Sequence, residues 1–142
     1  MVRPARPVAL MTTPSPLQAA AAFLEAFDNL DWEPFSRAIA PDATIFMPFA
    51  NVIRRLDGHE QIAAVFQPFF AQVRQQRPGP PYLNLHPLDL TCQQSGHLAL
   101  VTFHLDDGPI WCRRTLIFEQ LQGQWLLIHL HASNMPTIPT PS

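Results

Sequence analysis

The chain has 142 residues, which suits one domain whose single core buries roughly two thirds of the unfolded surface. Charged residues make up 14% and hydrophobic ones 47%; an average soluble domain is about 25% charged, so surface is left to be covered by a partner subunit or folded around a cavity. All nine basic residues are arginine and the net charge is −2, which excludes the basic footprint of a nucleic-acid binder and a polybasic membrane patch.

Residues 1–16 are proline-rich and read as an extended tail, as do residues 135–142, leaving one domain at 17–134. The early apolar stretch "VALM" is too short for a signal-peptide core, and no apolar run approaches the roughly 18 residues of a spanning helix, so a cytoplasmic location is expected. Met11 is an alternative start.

"SPLQAAAAFLEAFDNLD" predicts a helix: Ser15 caps it, Pro16 suits its first turn, and Leu17, Ala20, Phe23, Leu24 and Phe27 form one apolar stripe. "WEPFSRAI" predicts a short second helix ended by Pro41. "DATIFMPF" and "NVIRRL" read as strands, the second closed by "DG". From His59 to Gln76 the apolar positions Ile62, Val65, Phe66, Phe69, Phe70 and Val73 recur at helical spacing, with Pro68 expected to kink that helix.

After the loop "RPGPP" the period changes to two. "YLNLHPLDLTC", "HLALVTFHL", "WCRRTLIFEQL" and "QWLLIHLHAS" predict four strands of an antiparallel meander. Helices first and a meander last make an α+β domain of about six strands, with the helices gathered on one face of a curved sheet. Cys92 and Cys112 fall in separate strands without metal spacing and read as ordinary thiols.

In the last strand the even positions Leu126, Ile128, Leu130 and Ala132 are all apolar, which predicts that even positions face inward there and in the strand before it. Trp111, Ile117, Trp125, Leu127, His129 and His131 would then face outward, too apolar a set for open water and suited to a homodimer surface. A His-x-His pair without further ligands is not expected to bind metal, and no cofactor motif is present. On the inner face Arg114 is the anomaly, because a buried guanidinium needs a counter-charge such as Asp89, or a cavity holding water or an anion. His104 is expected to share that cavity.

The helix-helix-strand order, the "LDG" before a long helix, and the close "GQWLLIHLHAS" followed by "PTIP" resemble the nuclear transport factor 2-like superfamily over about residues 17–139. The "YLNLH" at the start of the meander belongs to the same resemblance, whose nearest groups are the SnoaL-like proteins and the association (hub) domain of calcium/calmodulin-dependent kinase II. The resemblance implies a cone-shaped fold with a pocket at its open end, paired through the outer sheet face. It also implies that the base of the ketosteroid isomerases falls at Met47, their oxyanion tyrosine at Phe23, and their second acid near Arg114 to Leu116. A thioether cannot abstract a proton, so that activity is not expected, and the cyclases' reliance on a pocket acid weakens that analogy too. The hub's pocket arginines would fall at His104, Leu116 and Ala132, and its pocket histidine at His86.

Three readings follow. The first is a dimeric domain binding a small organic molecule, one able to carry a carboxylate, through Arg114, His104, Met47, Phe23 and His86. The second is an isomerase, dehydratase or cyclase using His104 as acid/base and Arg114 for an oxyanion. The third is a pure oligomerisation module like the kinase hub.

Overall fold

The computed structural model describes residues 14–137; the remainder of both expected tails lies outside the described residues. Helix α1 (Pro16–Asp28) begins with a reciprocal cap, in which the Gln18 amide N–H donates to Ser15 Oγ at 3.1 Å and the Ser15 N–H to Gln18 Oε1 at 2.8 Å. It buries Ala20, Phe23 and Ala26. Helix α2 (Trp32–Arg37) places Phe35 at the centre of the core. Strand β1 (Ile39–Phe46) and the two-residue β2 (Leu56–Asp57) precede helix α3 (Gly58–Gln76), which runs through Pro68 and buries Ile62, Phe66, Phe70 and Val73. Among the described residues no helix is long and apolar enough to cross a membrane.

The meander is formed by β3 (Leu88–Ser95), β4 (Leu98–Asp107), β5 (Ile110–Leu121) and β6 (Gln124–Pro136). The six strands lie in the order β2-β1-β6-β5-β4-β3, antiparallel except for β1 beside β6, in a curved sheet that does not close. Strand β6 outruns the expected domain end, pairing Met135 with Trp111 and Pro136 with Ile110.

Two expected strands differ. "NVIRRL" contributes only Leu56 to strand β2. "YLNLHP" is a strap across the end of α1, because its amides are taken by one aspartate rather than by a neighbouring strand. The Tyr82 N–H donates to the Asp28 carbonyl at 2.8 Å, and the Leu83 and Asn84 N–H groups donate to the Asp28 carboxylate at 3.1 and 2.6 Å. Arg74 lies over the Tyr82 ring, 5.5 Å from its centroid.

The expected inner face holds along β5, where Cys112, Leu116 and Phe118 are buried. It fails in the first part of β6. The turn at Gln122 and Gly123 has two residues, both with positive φ (50° and 78°), the hairpin geometry that pairs Leu121 with Gln124 and Phe118 with Leu127. Odd positions therefore face inward next to the turn, and Trp125 (7% exposed) and Leu127 (0%) belong to the core rather than to the outer face. One residue, Ile128, is then left over as a bulge between the pairs Phe118–Leu127 and Ile117–His129. Beyond it Leu130 and Ala132 are buried, while His129 and His131 lie outside.

Candidate functional site

Phenylalanines from all three helices stack in the core. Phe35 lies 5.0 Å from Phe23, 5.4 Å from Phe66 and 5.1 Å from Phe70, ring centre to ring centre. Above this stack remains an apolar chamber of about 70 Å³, walled by Phe23, Phe27, Phe35, Phe66, Phe103, Leu116 and Leu130, with Leu24, Met47, Leu85, Leu105 and Arg114 completing it. Among the described residues, Arg114 is the one charged residue in this wall.

A wider vestibule of about 270 Å³ shares Phe27, Met47, Leu85, Leu105 and Arg114 with the chamber, and adds Arg77, Asn84, Asp107, Cys112 and Asn134 among others. Leu85 reaches both spaces from the strap clasped by Asp28.

Arg114 enters the site from β5 opposite Phe103 and Ala132. Its Nη1 donates to the carbonyls of Arg113 (3.0 Å) and Ser133 (3.1 Å) and to Asn134 Oδ1 (3.1 Å). No carboxylate pairs with it among the described residues; Asp89, the expected partner, is exposed and lies instead near His104. Burial pulls the Arg114 guanidinium below its ordinary pKa, an effect opposed by Cys112 beside it. All three of these hydrogen bonds use Nη1, and the Cys112 side chain is a further polar neighbour of the guanidinium. The site can therefore hold the charged end of a ligand against one preorganised, half-desolvated guanidinium.

Phe23, Met47 and Arg114 come together in the chamber wall. His104 and His86 do not join them. His104 pairs with Arg113 across β4 and β5, which puts it on the outer face, stacked on Trp111 at 5.1 Å and with Nδ1 3.7 Å from the Asp89 carboxylate. His86 is exposed, and its neighbour Leu85 lines the chamber. The two-residue turn at Gly108 and Pro109 pairs odd positions of β4 with even ones of β5, so Phe103 and Leu105 face inward. That arithmetic was present in the sequence, but Leu98 and Leu100 on the opposite parity concealed it. Arg77, Asn84, Asp107 and Asn134 carried no periodic signal, since Arg77 caps the end of α3, Asn84 lies in the strap, and Asp107 and Asn134 lie at or near strand ends.

On the outer face, His129 Nδ1 is 2.7 Å from Thr44 Oγ1, and His131 packs 5.0 Å from Phe46. Burial first, then the charge of His131, holds His129 below its ordinary pKa, against the upward pull of its hydrogen bond to Thr44. Trp111 and Ile117 share this half-covered face. Among the described residues no group of three or more His, Cys, Asp or Glu side chains is placed to hold a metal ion.

A family model for the SnoaL-like domain matches residues 17–138. The fold is similar to that of a candidate ketosteroid isomerase from Parabacteroides distasonis (20% identity over 86% of this chain and 89% of that one, TM-score 0.67). It is similar too to the CaMKII hub of S. rosetta (25% identity, 86% and 98% covered, TM-score 0.64). A third similar structure is a candidate calcium/calmodulin-dependent protein kinase type II association domain from Thiobacillus denitrificans (19% identity, 87% and 98% covered, TM-score 0.67).

Proposed function

The chain belongs to the SnoaL-like domain family, and from that premise we propose that it is a self-associating domain whose chamber binds a small organic molecule bearing a carboxylate. The observation that supports this reading is Arg114: a half-buried guanidinium without a carboxylate partner among the described residues, in a wall that is otherwise apolar. A charged group kept in such a place is costly unless an anion or water completes its shell. Catalysis by His104 together with Arg114 is not part of the proposal, since the two side chains lie on opposite faces of the sheet.

Self-association is assigned to the outer sheet face, with Trp111, Ile117, His129 and His131. The likeness to a hub and to an association domain favours it, as does the shortage of charge in the composition. Calorimetry with hexanoate and benzoate tests the ligand reading. Arg114→Ala should weaken binding by about 1.5–3 kcal/mol, ten- to a hundred-fold, through loss of a charge-assisted contact. Arg113→Ala should leave it nearly unchanged, because Arg113 is exposed on the outer face and bonded to Ser133 Oγ. Equal losses from both variants, or no binding by the unaltered protein, would overturn the proposal.

A further inference from the structure

We infer that Arg77 is a second anion-binding residue of this site, and that the ligand is an amphipathic monoanion bound with its charged head between Arg77 and Arg114 in the vestibule and a short apolar tail in the chamber. The inference rests on the proposed binding role of the chamber and specifies the ligand's class and direction.

Charge in the vestibule sets the first part. Among the described residues its wall holds two guanidinium groups, Arg77 and Arg114, and one carboxylate, Asp107, with Asn84 and Asn134 as neutral polar groups. One net positive charge remains, which a single anionic group balances and a dianion would overshoot in a partly desolvated space. Arg77 is free to take part. Its Nη1 makes one long hydrogen bond, 3.4 Å to the Tyr82 carbonyl, and among the described residues it forms no ion pair. The hydrogen bonds of Arg114 to protein oxygens all use Nη1, so among the described residues Nε and Nη2 make none to an oxygen.

The chamber sets the direction. A carboxylate pushed among Phe23, Phe35, Phe66, Leu116 and Leu130 would lose its hydration with only Arg114 at the rim to replace it, whereas a hydrocarbon tail gains there. At about 70 Å³ the chamber admits only a short tail. Residues lining both spaces, Met47, Leu85 and Leu105 with Arg114, form the neck between head and tail.

The test is calorimetry on the full chain with butyrate, hexanoate and octanoate, the neutral hexanamide, and the dicarboxylate adipate, comparing the unaltered protein with Arg77→Ala, Arg77→Lys and Arg114→Ala. Affinity should rise about fourfold per added methylene until the chamber is full, then level off. Arg77→Ala should weaken hexanoate about tenfold and leave hexanamide unchanged, Arg77→Lys should recover part of the loss, and adipate should bind more weakly than hexanoate. Arg77 is exposed, so the variants should keep the circular dichroism of the parent. If Arg77→Ala binds hexanoate as the parent does while Arg114→Ala does not, the role of Arg77 fails and the binding role of the chamber survives. Adipate binding as tightly as hexanoate overturns the monoanion assignment. Failure of every carboxylate to bind the parent overturns both readings.

Discussion

Strands β5 and β6 are neighbours of similar length, yet only one of them alternates cleanly. Along β5 every even position from Cys112 to Phe118 faces the helices, Arg114 included. Along β6 the inward set changes from odd (Trp125, Leu127) to even (Leu130, Ala132) at Ile128. The bulge reconciles two demands. The two-residue turn dictates one register beside Gly123, while the pairing of Arg114 with Ala132 and Leu116 with Leu130 dictates the other. A strand's two faces are thus fixed by its ends, and the residue between them absorbs the mismatch.

The contrast breaks most sharply at Leu127. Leu127→Ala should cost about 2–5 kcal/mol of stability, as for a fully enclosed leucine, whereas His131→Ala, four positions on and exposed on the outer face, should stay within about 0.5 kcal/mol. Denaturant unfolding of the two variants measures both. Equal losses would mean that the first part of β6 does not face the core.

A smaller effect on the fold, with a larger one on assembly, is expected from Ile117→Arg. Ile117 pairs with His129 just beyond the bulge and is only half-buried, so the monomer should lose no more than about 1 kcal/mol. If this face joins two subunits, a charge there should weaken association on the order of thirtyfold or more, as loss of a central apolar anchor does. Light scattering across a dilution series would show it; a parent protein that is monomeric at micromolar concentration would dismiss the interface.

The smallest effect concerns pH. The folded pKa of His129 lies below its ordinary 6.5, so under mildly acidic conditions the unfolded chain binds more protons than the folded one. Stability should therefore be complete above about pH 6.5 and decline as pH falls through the window below it. His129→Gln should flatten that decline, and an unchanged slope in the variant would assign it to another group. Unfolding midpoints at pH 7.5, 6.5 and 5.5 suffice to decide.

Much of the molecule was legible without coordinates, for a local reason. Periods of 3.6 and 2.0 residues are written into neighbouring side chains, so α1, α3 and strands β4 to β6 could be read from Phe23 and Ala26, from Ile62 and Phe66, and from the alternating runs around Val101, Leu116 and Leu130. The inward position of Arg114 agrees with the alternation of β5 through Cys112, Leu116 and Phe118, whereas its place opposite Ala132 depends on the bulge at Ile128. His104 reads as inward in the sequence because both faces of β4 are apolar enough to pass as the inside.

By itself, then, the sequence determined the order of elements, the α+β class, the family likeness and the presence of a guanidinium on the inner face, all properties that nearest neighbours along the chain specify. Only the tertiary structure decided which half of β6 turns inward, that "YLNLHP" forms a strap rather than a strand, and which polar groups meet at the vestibule. Each of those depends on a partner in another element: Ile117 and Phe118 on β5 for the bulge, Asp28 for the strap's amides, and the segments that bring both Arg77 and Arg114 to the wall of the vestibule. Register and loop capture are settled by competition for hydrogen bonds and buried area between distant segments, and no local pattern records who wins.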